Sequence, residues 1–351
     1  MPKTLNKLDL NSNNKRIVVA MSGGVDSSVV AALLVDQGYD VIGITLQLYD
    51  HGDAIEKKGA CCAGSDIYDA KRVASHLNIP HYVLDYESRF KETVIDDFVD
   101  EYFSGKTPIP CVRCNQTVKF NDLMKMAKDL NAYALATGHY VQRITCGNDI
   151  ELHRGIDDTK DQSYFLFATT QDQLNFLRFP LGDKSKEETR ALAEKFNLPV
   201  KDKPESQDIC FVPNGKYSEV LRKFRPGAIE PGDIVHVNGS VIGKHNGIID
   251  YTVGQRKGLG IGGNKELPEK RLYVIDIDVQ NNKVLVGPHQ ALEVSEITLK
   301  DFNGINKNSL FNQQTVLTKL RNTGKLITAT LYKSAYKVKI KLDTPIEGVS
   351  P

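Results

Sequence analysis

Hydrophobic residues in the first 210 positions follow two alternating spacings. The continuous run RIVVAM (16–21) predicts a strand buried on both faces, and apolar residues then return at helical spacing from Ser27 to Gly38. Later strands are predicted at DVIGITLQL, HYVLDY and AYALATGH, and helices at SDIYDAKRVASHL, RFKETVIDDFVDEYF, NDLMKMAKDL and SKEETRALAEKF. Ser185 and Glu188 predict a capping box on the last helix. Such alternation is typical of an α/β fold, a doubly wound parallel sheet with helices on both faces.

The pattern changes near residue 213, where short β-like runs rich in glycine begin with PGDIVHVNGSVIGKHNGIIDYTVGQRKGLGIGG. RLYVIDID and KVLVGP predict a hairpin that turns at Gln280-Asn281-Asn282. TVLTKLRN, ITATLYK and YKVKIKL alternate as half-buried antiparallel strands. We therefore predict an α/β domain over 1–213, a small central mainly β domain over 214–288 and a β-barrel-like domain over 289–351.

Composition is that of an ordinary soluble protein. The 351 residues are 40% hydrophobic, with 45 basic and 44 acidic side chains. No apolar run is long enough for a membrane span, no signal-peptide core is present, and the six cysteines have no secreted-type spacing, so we expect a cytoplasmic protein without a membrane partner. The last 63 residues hold nine Lys/Arg against five Asp/Glu, a mild indication of a phosphate-bearing partner.

Between the first strand and the first helix lies the glycine loop (residues 22–28, SGGVDSS). Its glycines let a ligand approach the backbone, and the N–H groups at a helix start attract phosphate. The loop is neither a Walker A motif nor a dinucleotide fingerprint. A small polar turn without a ligand is the plain alternative. The sequence Ser-Gly-Gly-x-Asp-Ser resembles the pyrophosphate loop of the ATP pyrophosphatase superfamily, which implies that the loop holds pyrophosphate and that Asp26 helps to place Mg²⁺.

Two cysteine segments come next. Cys111 and Cys114 lie in PIPCVRCNQTVKF, which we expect to be a loop between helices, and Cys210 lies in ESQDICFVPNG. A Cys-x-x-Cys pair could be half of a zinc site, but no second pair follows, and the adjacent Cys61-Cys62 lacks ligand spacing. A thioredoxin-like pair would open a helix directly after a strand. Considered without the other segments, Cys210 would be interpreted as a small buried core residue.

Six segments occur in a fixed order, namely AMSGGVDSS, PCVRCNQTVKF, LATGHYVQR, KDQSYFL, ESQDICF and YTVGQRKGLGIGG. Together they resemble the tRNA-specific 2-thiouridylase family over nearly the whole chain. The resemblance implies that ATP activates the C2 oxygen of the wobble uridine U34 in tRNAs for Lys, Glu and Gln. Sulfur from a donor protein (a cysteine desulfurase or a relay protein) then replaces that oxygen, with release of AMP and pyrophosphate.

The resemblance also implies residue roles. Cys114 matches the nucleophile and Cys210 the persulfide carrier, with a disulfide between them closing each turnover. The matching ATP contacts are Ala20, Met21, Ser22, Gly23, Gly24, Val25, Asp26, Ser27, Leu46 and Gly138. The matching tRNA contacts are Lys160, Asp161, Gln162, Arg321 and Asn322. The resemblance further implies that 1–213 is the ATP-pyrophosphatase catalytic domain and that the domain over 289–351 binds tRNA.

Three questions stay open at this point. Cys111 could be idle, could resolve a disulfide or could join Cys114 and Cys210 around an iron–sulfur cluster, and we favour an idle thiol. The chain could instead be another pyrophosphate-loop ligase or amidotransferase that uses ammonia, or an RNA-binding module without catalysis. The chain also stops at PIEGVSP, where the family usually continues, so either the protein is short or the sequence is incomplete, and the last domain could lack an edge strand.

Overall fold

The computed structural model describes residues 15–49, 64–147, 149–205, 209–212, 217–227, 230–261, 271–305, 311–334 and 337–350. The chain divides into two compact units. The first comprises Met1–Ile95, Pro110–Gly215 and Asn303–Ser309, and the second comprises Asp96–Ile109, Lys216–Phe302 and Leu310–Pro351. The domain boundaries predicted near 213 and 288 remain predictions.

The helices and strands follow in chain order. The α-helices are α1 (Val25–Asp36), α2 (Gly64–His76), α3 (Glu87–Phe90), α4 (Asp96–Phe103), α5 (Pro110–Cys114), α6 (Met124–Asp129), α7 (Gln171–Phe176), α8 (Lys186–Lys195) and α9 (Tyr217–Phe224). The strands are β1 (Arg16–Ala20), β2 (Asp40–Gln47), β3 (His81–Asp85), β4 (Ala134–Ala136), β5 (Val141–Cys146), β6 (Asp149–Arg154), β7 (Leu177–Arg178), β8 (Gly232–His236), β9 (Val241–His245), β10 (Tyr273–Asp278), β11 (Lys283–Gly287), β12 (Glu293–Leu299), β13 (Gln314–Thr318), β14 (Ile327–Lys333) and β15 (Val338–Glu347). Residues Lys91–Ile95 and Asn115–Leu123 are π-helical, and Ser163–Leu166, Ile248–Asp250 and His289–Leu292 form 3₁₀ turns.

A parallel sheet with the order β3-β2-β1-β4-β7 organises the first unit. Successive side chains of a strand point to opposite faces. Ile17 and Val19 therefore pack with α1, α2 and α8 in one apolar cluster, while Val18 between them is buried too. Because both faces are covered, the first strand is apolar from Ile17 to Ala20. The predicted doubly wound parallel sheet is confirmed, and so is the capping box in which Ser185 and Glu188 bond reciprocally at the start of α8.

The order of the strands places several connections at one edge of this sheet. β1, β4 and β2 run parallel, so the glycine loop after β1, the segment 137–139 after β4 and Leu46 near the end of β2 meet at their carboxyl ends. Ligands of open α/β sheets bind at such edges. The fold therefore brings the predicted nucleotide residues of three chain segments together.

One sequence expectation is wrong. The segment around Cys111 and Cys114 is not a loop, because α5 covers Pro110–Cys114 and continues directly into the π-helical turn Asn115–Leu123. Pro110 occupies the first helical position, where its fixed φ favours a helix start. The antiparallel hairpin of β5 and β6 is a further element that the sequence analysis did not predict, and Cys146, the last residue of β5, lies at its turn.

The second unit is rich in β structure, as expected. Its sheets have the strand orders β10-β11-β8-β9 and β12-β15-β14-β13. The predicted hairpin is confirmed, since β10 and β11 pair antiparallel and Asn281 donates to Asp278 at their turn. Each sheet packs its own apolar cluster, around Val274 and Val284 in the first and around Leu331 and Ile340 in the second. Across the described residues, no helix combines the length and apolar character needed to cross a membrane.

Candidate functional site

The glycine loop has a shape that its glycines and serines determine. Gly23 has φ +75°, and a Cβ on it would lie 2.1 Å from the carbonyl oxygen of Asp66, so a side chain has neither the conformation nor the room. The main-chain N–H of Ser22 donates to Ser27 Oγ at 3.1 Å, and Ser28 Oγ donates to the carbonyl of Gly24 at 2.7 Å. These bonds hold the loop at the start of α1, where the helix dipole favours an anion.

Asp26, in the first turn of α1, is the centre of a charged network. Its carboxylate accepts hydrogen bonds from Tyr140 Oη at 2.8 Å and from Lys186 Nζ at 2.7 and 3.0 Å. Lys186 also lies 3.1 Å from Glu205, which in turn pairs with Lys160 at 2.8 Å. Burial and, second, the charge of Asp26 raise the pKa of Tyr140, which therefore stays a hydrogen-bond donor. The network fixes Asp26 at the loop and links it to the predicted tRNA segment.

A second lysine, Lys203, also holds the glycine loop in place. Lys203 Nζ donates to the carbonyl oxygen of Gly23 at 3.0 Å and to Asp66 and Asp69 at 2.6 Å each. Burial opposes its charge, but the bonds to both carboxylates outweigh burial and raise the pKa of Lys203. Lys203 therefore remains an ammonium ion and anchors the chain that leads to Cys210 against the glycine loop.

A pocket of about 200 Å³ opens at this edge of the sheet. Seven of the predicted nucleotide contacts line it, namely Ala20, Met21, Ser22, Asp26, Ser27, Leu46 and Gly138. The other three, Gly23, Gly24 and Val25, belong to the loop and the start of α1 without lining the wall. A Cβ on Gly138 would lie 3.0 Å from the main-chain nitrogen of Ser27, so this glycine lets β4 approach the start of α1.

Other residues that line the pocket come from segments to which the sequence analysis gave a different role. Lys119 and Leu123 contribute from the π-helical turn that follows Cys114, and Gln162 from the predicted tRNA segment. His139 also lines the pocket and lies 2.8 Å (Nδ1) from Thr137 Oγ1. Burial, followed by the nearby charge of Lys119, lowers the pKa of His139 to about 3. The imidazole is therefore neutral at physiological pH.

The cysteines occupy different surroundings. Cys114 ends α5 and is 7% exposed, whereas Cys111 and Cys210 are partly exposed, and all three are thiols. The carbonyl of Cys210 accepts a hydrogen bond from Tyr49 Oη at 2.9 Å, which holds this segment near the end of β2. Within the described ranges, no group of three or more His, Cys, Asp or Glu side chains is arranged to hold a metal ion. Cys61 and Cys62 lie outside the described residues.

The predicted tRNA residues are divided between the two units. In the first unit Lys160 pairs with Glu205, and the Asp161 carboxylate is buried and accepts from Gly155 N at 3.1 Å and Ser163 Oγ at 2.9 Å. Burial works against the Asp161 charge, but these hydrogen bonds lower its pKa overall. Asp161 therefore organises the segment, while Gln162 lines the pocket and accepts from Tyr140 N at 3.0 Å.

The other two predicted tRNA contacts lie in the second unit. Arg321 and Asn322 follow β13 in the connection to β14, as expected from the sequence. The Arg321 guanidinium donates to the carbonyl of Gly348. This bond holds the Arg321 side chain in place at the surface of the second unit.

Sequence reasoning missed Lys186, Lys203, Tyr140 and Glu205. Lys186 merely follows a helix cap and Lys203 lies in none of the six segments. Tyr140 and Glu205 lie in the segments LATGHYVQR and ESQDICF, but the sequence analysis gave neither of them a role. Tyr140, Lys186 and Lys203 become site residues because the fold brings segments more than 100 positions apart together, and Glu205 joins them through Lys186. No local pattern signals such a contact.

Comparison with known proteins agrees with this architecture. Residues 15–214 match the family model described as tRNA methyl transferase HUP domain, and residues 218–288 match the tRNA methyl transferase PRC-barrel domain. The chain is 57% identical over 341 residues to the tRNA-specific 2-thiouridylase MnmA of Maricaulis maris (strain MCS10), covering 97% of this chain and 83% of that protein. It is 56% identical over 346 residues to the MnmA of Rickettsia felis (strain ATCC VR-1525 / URRWXCal2), covering 98% and 93%.

Among solved structures, NMN synthetase from Francisella tularensis matches at 18% identity with a TM-score of 0.38, covering 63% of this chain and 81% of that one. That likeness is too remote to bear on function. The two curated relatives extend over nearly the whole chain, and the sequence resemblance to their family is confirmed. This chain belongs to the tRNA-specific 2-thiouridylase family.

Proposed function

We propose that this protein uses ATP to replace the C2 oxygen of the wobble uridine U34 of tRNAs for Lys, Glu and Gln with sulfur, releasing AMP and pyrophosphate. Its curated relatives are named tRNA-specific 2-thiouridylase. The observation that carries the proposal is one pocket lined both by the glycine loop and by Lys119 and Leu123, which belong to the turn that begins directly after Cys114. This arrangement suits a reaction that joins nucleotide chemistry to thiol chemistry.

The residues of the loop fit a nucleotide. The start of α1 and the hydroxyls of Ser22 and Ser27 suit the pyrophosphate group, and the apolar wall at Ile44 and Leu46 suits an adenine ring. Asp26 would hold Mg²⁺, whose chemistry is to neutralise charge on the departing pyrophosphate. Lys186, already bonded to Asp26, adds a positive charge at the same place.

The uridine must leave its stack to react. A base in an anticodon loop is splayed out before a buried atom of its ring meets an enzyme pocket. Its C2 oxygen attacks the α-phosphorus of ATP, and pyrophosphate leaves. The carbonyl oxygen, a poor leaving group, thereby becomes part of AMP, a good one. Gln162, which lines the pocket and is held by the main-chain N–H of Tyr140, is suited to contact the base.

The sulfur step uses two thiols. A donor protein in the cytoplasm would load Cys210, which is partly exposed, with a persulfide. The terminal sulfur attacks C2 of the adenylated base, and AMP leaves with the former C2 oxygen. The Cys114 thiolate then attacks Sγ of Cys210 and breaks the S–S bond, so that sulfur stays on the base and a Cys114–Cys210 disulfide forms. A dithiol reductant supplies the two electrons that restore both thiols.

Labelled sulfur distinguishes the two cysteines. Cys210→Ser should still release AMP with tRNA but accept no label from a donor, whereas Cys114→Ser should carry label on Cys210 without completing 2-thiouridine. Mass spectrometry of digested tRNA measures the product, and Cys146→Ser, away from both segments, is the control. Label retained on Cys210→Ser and absent from Cys114→Ser would reverse the assignment, and full thiolation by either variant would end the two-cysteine mechanism.

A second reading is a ligase or amidotransferase of the pyrophosphate-loop type. Exchange of labelled pyrophosphate into ATP distinguishes the two functions. Activation of uridine needs tRNA, whereas activation of a small acceptor does not. Exchange that depends on tRNA supports thiolation. Exchange without RNA, in the presence of an amino or carboxyl acceptor, would favour the ligase.

A further inference from the structure

The segment YTVGQRKGLG (residues 251–260) forms a loop of fixed shape in the second unit, which we call the Arg-Lys loop. Tyr251 and Leu259 at its ends are buried in the apolar cluster beneath β10 and β11, and Tyr251 Oη donates to the carbonyl of Leu259 at 3.5 Å. Gly254 N donates to the carbonyl of Val274 at 2.8 Å, and Val274 N donates to the carbonyl of Gln255 at 2.9 Å. The loop is therefore fastened to the sheet.

The side chain of Gln255 braces the turn from inside. Its Oε1 accepts from Thr252 N at 3.0 Å, and its Nε2 donates to the carbonyl of Lys257 at 3.0 Å. Gly254 and Gly258 have φ of +87° and +76°, which lets the chain reverse tightly. Such bracing leaves little conformational entropy to lose when a ligand binds.

The solvent-exposed side chains of this turn are positively charged. Arg256 and Lys257 are both exposed. In the part of the chain that the structure describes, neither forms an ion pair with a carboxylate. Exposed cations without a partner carboxylate are suited to binding an anion, because no ion pair has to be broken first.

A third cation lies beside this turn. A Cβ on Gly254 would be 3.8 Å from Nη2 of Arg321, so the guanidinium lies against the base of the Arg-Lys loop. Arg321 uses one donor on the carbonyl of Gly348, and a guanidinium has further N–H groups to offer. Glu347, the residue before Gly348, has a carboxylate that lies 2.9 Å from His289, which is its ion-pair partner in place of Arg321.

We propose that the Arg-Lys loop, with Arg256, Lys257 and Arg321, binds backbone phosphates of the tRNA substrate. The inference rests on the proposed function and adds the central β domain to the RNA-binding surface. Arginine and lysine side chains on a fixed turn contact phosphate without reading the base, so this surface would contribute affinity and orientation rather than sequence choice.

The test compares two double variants in binding to an unmodified transcript of a tRNA that carries U34. Arg256→Gln with Lys257→Gln removes both loop charges. Lys223→Gln with Lys300→Gln removes two exposed charges of the same unit outside the loop. Each lost phosphate contact reduces the steepness of log affinity against log salt by about 0.7–0.9, and the loop variant loses two contacts. Between 50 and 200 mM salt, the affinity of the wild type should therefore fall about tenfold more than the affinity of the loop variant. The control variant should keep the wild-type slope.

A third variant keeps the charge and changes the side chains. Arg256→Lys with Lys257→Arg should retain the wild-type dependence of log affinity on log salt, because both charges remain. If the two side chains acted only in folding, there would be no reason to expect the slope to follow the charge. Equal slopes for wild type and the loop variant, or equal losses in the loop and control variants, would overturn the inference while leaving thiolation intact. A wild-type protein that neither binds the transcript nor forms 2-thiouridine would instead overturn the proposed function.

Discussion

Gly23→Ala is the sharpest test of the glycine loop. An L-residue at φ +75° costs about 1–2 kcal/mol in backbone strain. The new Cβ would also lie 2.1 Å from the carbonyl oxygen of Asp66, where real contacts are at least 3.0 Å. The loop must therefore move by about 1 Å, because the clashing atom is backbone and Lys203 also bonds the carboxylate of the same Asp66. A displacement of this size at a reacting centre costs about 100-fold in rate.

The assay is release of AMP from ATP in the presence of tRNA, together with thermal melting. We expect Gly23→Ala to lose about 100-fold in kcat/KM for AMP release while still binding tRNA. Gly38→Ala is the matched control, because Gly38 has φ +80° but nothing within 4 Å of its Cβ position. It should lower stability by about 1–2 kcal/mol through strain and leave the rate unchanged. Wild-type AMP release by Gly23→Ala, or an equal loss of rate in Gly38→Ala, would refute this reasoning.

Two further predictions concern single side chains of the pocket. Lys186→Met should raise the KM for ATP and lower AMP release at least tenfold, because Asp26 loses its ammonium partner and the pyrophosphate loses a positive charge. Lys184→Met, which removes an ammonium paired with a neighbouring aspartate, is the control, and equal effects in both variants would contradict a specific role. His139 has a pKa lowered to about 3 from its ordinary 6.5, so below pH 6.5 the unfolded state takes up a proton that the folded state does not. Wild-type stability should therefore fall between pH 6.5 and 4 more steeply than that of His139→Gln, and parallel melting curves for the two proteins would disprove it.

Periodicity alone predicted much of the fold. A continuous apolar strand, a helical repeat after Ser27 and their repetition specify a parallel sheet, because only helices on both faces can cover such strands. The same pattern put the glycine loop at a carboxyl edge. It failed at α5, where Pro110 starts a helix whose few residues carry no clear apolar repeat. It also missed the hairpin of β5 and β6, because the two buried positions of β5 hold Val141 and Arg143, and a charged residue at a buried position breaks the hydrophobic alternation.

The sequence by itself determined which chemical groups are available: the glycine loop, Asp26 and the thiols of Cys114 and Cys210. The glycine loop with Asp26 can be recognised inside its own segment, whereas Cys114 and Cys210 gain their interpretation only from the ordered set of six segments. Only the tertiary structure decided that Lys186 and Tyr140 bond to Asp26 across 160 and 114 positions of chain. The physical reason is that such contacts depend on the order of strands in the sheet and on the path of the connections between them, which no spacing within one segment encodes.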